Sequence, residues 1–196
     1  MACLVLAAGK GARFGLKKQL VTIDGQPMIN KVLLELKPIF CEDLFVVVGA
    51  YKDEVISVIH HLAHPIINDN WPKGIGSSIS AGIRKISRYA KYDSILIALA
   101  DQVGLKQSDY QLLISNFDGD RVVATNYKNC SGVPAVFPSS YFLKLHFMDV
   151  EQGAKSILND KKNNILSIDL EGSLMDIDTR KDLENYLSQL KDDDKN

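Results

Sequence analysis

Six consecutive small or apolar residues, Cys3–Ala8, run without a break into a loop punctuated by Gly9, Gly11 and Gly15. An apolar run of that length, closed by glycine, reads as a strand buried on both faces, the kind found in parallel sheets covered by helices. The loop carries Lys10, Arg13, Lys17 and Lys18 among and just beyond its glycines. Small residues let a backbone bend sharply and turn its N–H groups toward an anion, and cations add charge-assisted contacts to phosphate oxygens. The opening of the chain therefore points to a sheet edge that holds a polyphosphate.

Spacing narrows the choice of ligand. A Walker loop requires G-x-x-x-x-G-K followed by Ser or Thr, and no such string occurs. A dinucleotide fingerprint requires G-x-G-x-x-G, whereas Gly9, Gly11 and Gly15 are spaced G-x-G-x-x-x-G. The acidic ribose partner of that fingerprint would end a second strand roughly 20 residues on; Glu35 lies near that distance but inside a helical pattern. Four cations suit a triphosphate better than the diphosphate of a dinucleotide, which disfavours a nicotinamide dehydrogenase.

Apolar runs and helical patterns alternate through the rest of the chain. Leu44–Val48, His64–Asn68, Ser94–Leu99, Arg121–Asn126, Val133–Phe137 and Ile165–Leu170 read as extended segments. Helical faces are expected after Asp24-Gly25-Gln26-Pro27 up to a stop at Pro38, and over Glu54–His61, Ser77–Tyr89, Ser108–Asn116 with Ser108 as cap, Ser139–Phe147, Gly153–Leu158 and Thr179–Leu190. With 196 residues and no repeat or linker, the reading is a single domain over 1–190 with a charged tail over 191–196. The fold class is α/β, a three-layer α/β/α arrangement on a mostly parallel sheet, with ligands at the carboxyl ends of the strands.

A formal net charge of −1 gives no general attraction to nucleic acid or to an anionic membrane. The apolar start is too short to span a bilayer and its continuation does not resemble a signal-peptide cleavage region. Cys3, Cys41 and Cys130 are odd in number and far apart, which reads as free thiols of a reducing cytoplasm. His60, His61 and His64 read as solvated imidazoles at a helix end rather than a metal cluster.

Three further segments bring chemistry to strand ends. Asp69–Ser78 has Gly74 and Gly76 for close backbone approach, and Ser77 and Ser78 as hydroxyls at a helix start. An N-capped turn accounts for Ser77 equally well. Asp101 directly follows the strand Ser94–Leu99 and Ala100, a placement that suits Mg²⁺, a hard cation that takes carboxylate and phosphate oxygens. In Leu174-Met175-Asp176-Ile177-Asp178-Thr179, alternation puts both aspartates on one side. Asp178 or Thr179 can cap the following helix; Asp178 is assigned that role, leaving Asp176 as the second metal carboxylate.

Taken together, LAAGKGARFGLKK, KGIGSSISAG, LADQ, GVPAVF and DIDTRKDL resemble, in this order, the MobA-like nucleotidyltransferases, most closely their molybdenum cofactor cytidylyltransferase branch. The resemblance runs from Leu4 to about Leu183. It implies a Rossmann-like nucleotidyltransferase fold, Mg²⁺, and transfer of CMP from CTP to the phosphate of molybdopterin with release of pyrophosphate. It also implies a nucleotide site of Leu6, Ala7, Ala8, Gly9, Gly11, Arg13, Lys18, Gly76, Ser77 and Ser78. Arg13, Lys18 and Asp101 would be catalytic, Asp101 and Asp176 would hold the metal, and a recipient molybdoenzyme would be a partner. Gly132-Val133-Pro134 would rim the acceptor pocket.

Three departures bear on the acceptor. The Gly-Asp pair that the family often has ahead of the residues matching Gly153-Ala154 is absent, Lys155 stands where the family often has arginine, keeping the charge but losing the bidentate fork, and Val103 follows LADQ where proline is usual. The alternatives are a guanylyltransferase, an enzyme acting on another phosphorylated metabolite, and a non-catalytic nucleotide-binding module.

Overall fold

The computed structural model describes residues 1–193 apart from 16, 90, 91, 129, 149, 175 and 176, and leaves aside the side chains of 89, 173, 174 and 189–193. Strand β1 (Ala2–Leu6) lies near the middle of the sheet, and every one of its residues is buried. Its alternation feeds two cores. Cys3, Val5 and Ala7 face one side, and Ala2, Leu4, Leu6 and Ala8 face the other.

The first core is covered by α1 (Met28–Phe40), α2 (Lys52–Ile59), α4 (Gln107–Ser115) and α7 (Arg180–Asp193), through side chains such as Leu33, Ile59, Tyr110 and Tyr186. The second is covered by α3 (Ile75–Ile86), α5 (Phe142–His146) and α6 (Lys155–Leu158), through Ile79, Ile83, Leu145 and Ile157. Both faces of the sheet are thus closed, and the three-layer α/β/α reading holds.

The remaining strands are β2 (Thr22–Ile23), β3 (Gln26–Pro27), β4 (Leu44–Val48), β5 (His64–Ile67), β6 (Ser94–Leu99), β7 (Val122–Tyr127), β8 (Cys130–Pro138) and β9 (Ile165–Ile168). The main sheet has the order β5-β4-β1-β6-β8-β7-β9. All neighbours are parallel except β8, which runs against β6 and β7. Leu6 pairs with Val47 on one side and Leu99 on the other. The chain winds outward through β4 and β5 and then crosses back to β6. This reversal of strand order opens a crevice beside the carboxyl end of β1, where α/β sheets bind ligands. Because β8 is reversed, its first residues, Cys130–Val133, come to the same edge.

Three local expectations change. Helix α1 continues through Pro38 to Phe40, and the proline is tolerated because the last turn is anchored by buried Phe40 and closed by the Cys41 amide on the Lys37 carbonyl. Helix α4 starts before Ser108: the carboxylates of Asp109 and Glu35 accept the amides of Lys106 and Gln107, so the serine hydroxyl is not the cap. Helix α7 extends to Asp193, so the first part of the charged tail is helical. Asp24 and Gly25 form the turn of the β2–β3 hairpin, both at positive φ as a tight two-residue turn requires, and Gln26-Pro27 is β3 itself.

Candidate functional site

Just past β1, the backbone is still pinned between its neighbours. The Ala7 amide donates to Val47, the Ala8 carbonyl accepts from Ala50, and the Leu6 carbonyl accepts from Ala100. From Gly9 the chain leaves the sheet. Gly11 and Gly15 adopt φ of +64° and +75°, and buried Phe14 anchors the loop in the core. Gln19, which the sequence reading passed over, fastens the far end. Its buried Nε2 donates to the carbonyls of Ala7 (3.0 Å) and Gly9 (2.5 Å). Lys18, on the same short turn, is thereby held over the strand end.

The loop walls a cavity of about 380 Å³. Leu6, Ala7, Ala8, Gly9 and Gly11 from the sequence-derived set line it, as do Lys18, Ser78 and Asp101. Trp71 and Pro72 form another wall, and Trp71 packs so tightly on Gly49 that a Cβ there would lie 2.7 Å from its ring. Gly76 and Ser77 stand behind the lining. The Gly76 amide donates to Val150, and the Ser77 hydroxyl donates to the carbonyls of Asn70 and Gly74. Asn68, buried at the end of β5, donates to both Ser77 and Ser78 and so orders this loop from below. Gly74 sits at φ +120°, and a Cβ on it would meet the Val150 carbonyl oxygen at 2.6 Å. Gly74→Ala is expected to destabilise the protein by about 1–3 kcal/mol through backbone displacement, read as a shift in thermal denaturation.

At the floor of the cavity Lys18 and Asp101 join Asp178 and the solvent-facing Arg13 in one cluster of charged groups. Lys18 Nζ donates to Asp101 Oδ2 at 2.7 Å and to Asp178 Oδ1 at 2.8 Å. Arg13 Nη1 reaches the other oxygen, Asp178 Oδ2, at 3.4 Å. The Lys18 side chain is only 9% exposed, while Arg13 is largely in solvent. Burial pushes the Lys18 ammonium down, but the charge of Asp101 and the hydrogen bonds to both carboxylates outweigh it, so its pKa is raised. The hydrogen bond from Lys18 holds the Asp178 carboxyl below the usual range.

Asp178 reaches this floor because the segment before α7 docks on the loop after β6. The Ile177 amide donates to the Asp101 carbonyl, and Gly172 packs so closely on Gly104 that a Cβ would lie 2.2 Å from its carbonyl oxygen. Asp178 is not the helix cap. Thr179 takes that role: its hydroxyl accepts from the Asp182 amide, and the Asp182 carboxylate accepts from the Thr179 amide and hydroxyl and from the Asp178 amide. This reciprocal cap leaves the Asp178 side chain free to face Lys18, where the sequence reading has it capping the helix. Asp176 lies outside the described residues.

Thr179→Ala is expected to cost about 1 kcal/mol in thermal or denaturant unfolding. Hydrogen bonds from Thr179 and from the Asp178 amide hold the Asp182 carboxyl below its ordinary value. Its contribution to stability is therefore complete above the unfolded carboxylate pKa, about 4, and lost as pH falls through the lower folded value. Melting curves of the native protein and Asp182→Asn should differ at neutral pH and converge in acid.

A divalent cation fits this floor on one structural ground besides the two carboxylates. Asp101 Oδ1 is buried with no hydrogen-bond partner, an oxygen left open beside the cavity. The described residues contain no group of three or more His, Cys, Asp or Glu placed for a metal, so phosphate oxygens and water would complete any coordination. His60, His61 and His64 are exposed, and Cys3, Cys41 and Cys130 are unpaired thiols, the first of them buried.

A second chamber of about 590 Å³ opens on the other side of Asp101, sharing Leu6, Ile75, Leu99 and Asp101 with the first. Gln102 and Tyr127 shape its floor. Gln102 is fully buried; its Nε2 donates to the Tyr127 hydroxyl and the Val133 carbonyl, and its Oε1 accepts from the Leu99 amide. Gly132 and Val133 line the chamber, as do Lys155 and Asp178. Gly132 is required by contact, since a Cβ would press on the Tyr127 ring at 2.7 Å. Tyr127 gave no sequence signal, and Gln102 and Trp71 stood within LADQ and Asp69–Ser78 without a role of their own, because all three face the site only once β6, β7 and the loop after β5 share an edge.

The sequence pattern of the MobA-like NTP transferase domain matches residues 3–165. Among curated proteins, a bifunctional protein GlmU from Rubrobacter xylanophilus is 35% identical over 85 residues, covering 42% of this chain and 18% of its own. A nicotine blue oxidoreductase from Paenarthrobacter nicotinovorans is 30% identical over 129 residues, covering 64% of this chain. The chain spans about a fifth and three-fifths of these relatives, 18% and 61% of their lengths.

Solved structures share the fold. A Mycobacterium sp. strain JC1 homologue of Mycobacterium tuberculosis rv0371c superposes with a TM-score of 0.81 at 24% identity, covering 96% of this chain and 95% of that one. Molybdopterin-guanine dinucleotide biosynthesis protein A from Archaeoglobus fulgidus gives 0.75 at 20% identity, covering 98% and 100%. The Mycobacterium tuberculosis protein in complex with manganese gives 0.79 at 18% identity, covering 95% and 97%. At these identities the likeness is one of fold.

Proposed function

The chain belongs to the MobA-like NTP transferase domain family, and from that premise we propose that it transfers CMP from CTP to the phosphate of molybdopterin, releasing pyrophosphate. The observation that carries the reading is the cluster of Lys18, Asp101, Asp178 and Arg13 at the junction of two chambers. One chamber has a glycine loop for a triphosphate; the other has room for an acceptor.

In the proposed reaction an acceptor phosphate oxygen forms a bond to the α-phosphorus in line with the leaving group. The bond from the α-phosphorus to the bridging oxygen breaks, and that oxygen departs with pyrophosphate. Two anions meet, so the work of the protein is positioning and charge neutralisation. Arg13 and the amides of the glycine loop would hold the β- and γ-phosphates. Lys18 would turn from the carboxylates to the α-phosphate, where negative charge builds. Asp101 and Asp178 would hold Mg²⁺; when bound, the cation neutralises phosphate charge and polarises the α-phosphoryl group. An acceptor phosphate is already ionised, so no general base is needed. The small Ala8 beside the cavity and the KGIGSS loop favour cytosine as the base, through the resemblance to the cytidylyl branch.

No described helix is long and apolar enough to cross a membrane. A cytoplasmic enzyme that hands its product to a molybdoenzyme is part of the same proposal.

The test is Mg²⁺-dependent pyrophosphate release from CTP, GTP, ATP and UTP in parallel, with and without molybdopterin. Release from CTP only when the pterin is present is the expected result. A GTP preference would make the protein a guanylyltransferase. Pyrophosphate release from none of the nucleotides would sink the reading, and would direct attention to redox chemistry of the kind in the name of the nicotine blue relative.

A further inference from the structure

Lys18 and Arg13 are the cations that a bound triphosphate would take, yet here both sit on carboxylates that a metal would take. Lys18 bridges Asp101 and Asp178, and Arg13 occupies the remaining Asp178 oxygen. Two positive and two negative side chains make a neutral, closed network, with the ammonium at its centre shielded from solvent. Only Asp101 Oδ1 is left without a partner within this network.

We infer that Lys18 and Arg13 act as resting counter-ions that close the carboxylate pair to bare metal, so that the divalent cation and the triphosphate enter as a coupled pair. The inference rests on the nucleotidyltransferase reading and deepens it. A metal arriving alone meets an ammonium between the two carboxylates and leaves that ammonium without a partner when it displaces it. A triphosphate arriving alone draws Lys18 and Arg13 away and leaves two carboxylates facing an anion. When both arrive, the partners exchange: carboxylates pass to the metal, cations pass to the phosphates, and every charge remains compensated. Partly buried charges make the single exchanges costly and the double exchange favourable. By linkage, each ligand then raises the affinity of the other. The device also disfavours two idle states, a site blocked by free metal and a triphosphate bound without its metal.

The experiment is a titration of the full chain with Mn²⁺ alone, followed by electron paramagnetic resonance, without any nucleotide. The native protein is expected to bind weakly, and Lys18→Met at least tenfold more tightly, although a site mutation ordinarily weakens binding. Lys161→Met is the control. Lys161 is exposed on the turn between α6 and β9 and lines neither chamber, so its loss should change Mn²⁺ affinity by less than about twofold.

Equal or weaker binding by Lys18→Met overturns the inference. So does an equal gain in Lys161→Met, which would reduce the effect to overall charge. Lys18→Gln serves as a second neutral variant, with circular dichroism reporting whether each is folded. In the native protein the Lys18 ammonium resonance, read by nitrogen NMR, should shift with Mg²⁺ and an α,β-methylene analogue of CTP together and not with Mg²⁺ alone. A shift with Mg²⁺ alone also overturns it. The metal-only arm stands apart from the nucleotide reading: failure of the CTP analogue to bind, with the Lys18 effect intact, would remove cytidylyl transfer and leave the counter-ion role in place.

Discussion

Replacing Lys18 with alanine is expected to lower the rate of pyrophosphate release by about 10²-fold or more, the scale of losing one preorganised group that stabilises transition-state charge. The argument starts from placement. Lys18 is fixed over the end of β1 by the turn that also carries Gln19, and its ammonium lies on Asp101 and Asp178 at the junction of the two chambers. A negative charge developing at the α-phosphate in that junction would meet a cation already largely desolvated and within reach, once Lys18 has turned from the two carboxylates.

The loss should fall on kcat more than on the KM for nucleotide, because Arg13 and the loop amides would still bind the β- and γ-phosphates. Lys18→Arg should recover only part of the rate, since a planar fork does not replace a compact ammonium between two carboxylates. Steady-state kinetics with CTP and the pterin acceptor would measure both. Near-native turnover in Lys18→Ala would remove the residue from the mechanism.

Asp101→Asn should be of similar size, about 10²-fold or more in turnover, but with a different signature. The amide keeps the shape of the carboxylate and loses its charge. The apparent affinity for Mg²⁺ should fall, and raising the metal concentration should restore part of the rate, which it should not do for Lys18→Ala. Stability moves as well. Asparagine leaves Lys18 with Asp178 as its one charged partner in a part-buried setting, a cost of about 1–3 kcal/mol in denaturant unfolding. A rate and metal dependence unchanged from the native protein would show that Asp101 holds no metal.

Much of the fold was legible because burial leaves a regular trace. Leu44–Val48 and Ser94–Leu99 were located to the residue, since strands covered on both faces are apolar throughout and are bounded by polar or turn residues. The strand ends were harder. β8 begins at Cys130, three residues before the extended run was expected, because Cys130-Ser131-Gly132 carries no apolar pattern and is recruited by pairing with β7. Its reversed direction was equally silent, as a run such as Val133–Phe137 reads the same either way. The Pro38 stop failed for a related reason: buried Phe40 holds the final turn against the local cost of proline.

At the site, local chemistry spoke and distant chemistry did not. The glycine loop with its cations, and an aspartate at a strand end, are properties of contiguous residues, and they pointed to Ala7–Gly11, Lys18 and Asp101. Asp178 was misassigned because a helix start offers two adjacent candidate caps, and only the reciprocal bonding of Thr179 with Asp182 separates them. The contact of Lys18 with Asp101 and Asp178 joins residues 83 and 160 positions apart. No periodicity reports such a pairing. The sequence by itself determined the alternation of strands and helices, the glycine-rich and cationic character of the opening loop and the family to which the chain belongs, because these follow from short-range patterns of size, charge and hydrophobicity. Only the tertiary structure decided which carboxylates share the ammonium, which of the loop serines faces the cavity, and where Gln102 and Tyr127 close the second chamber, because the order and direction of strands in the sheet determine which distant segments meet at its carboxyl edge.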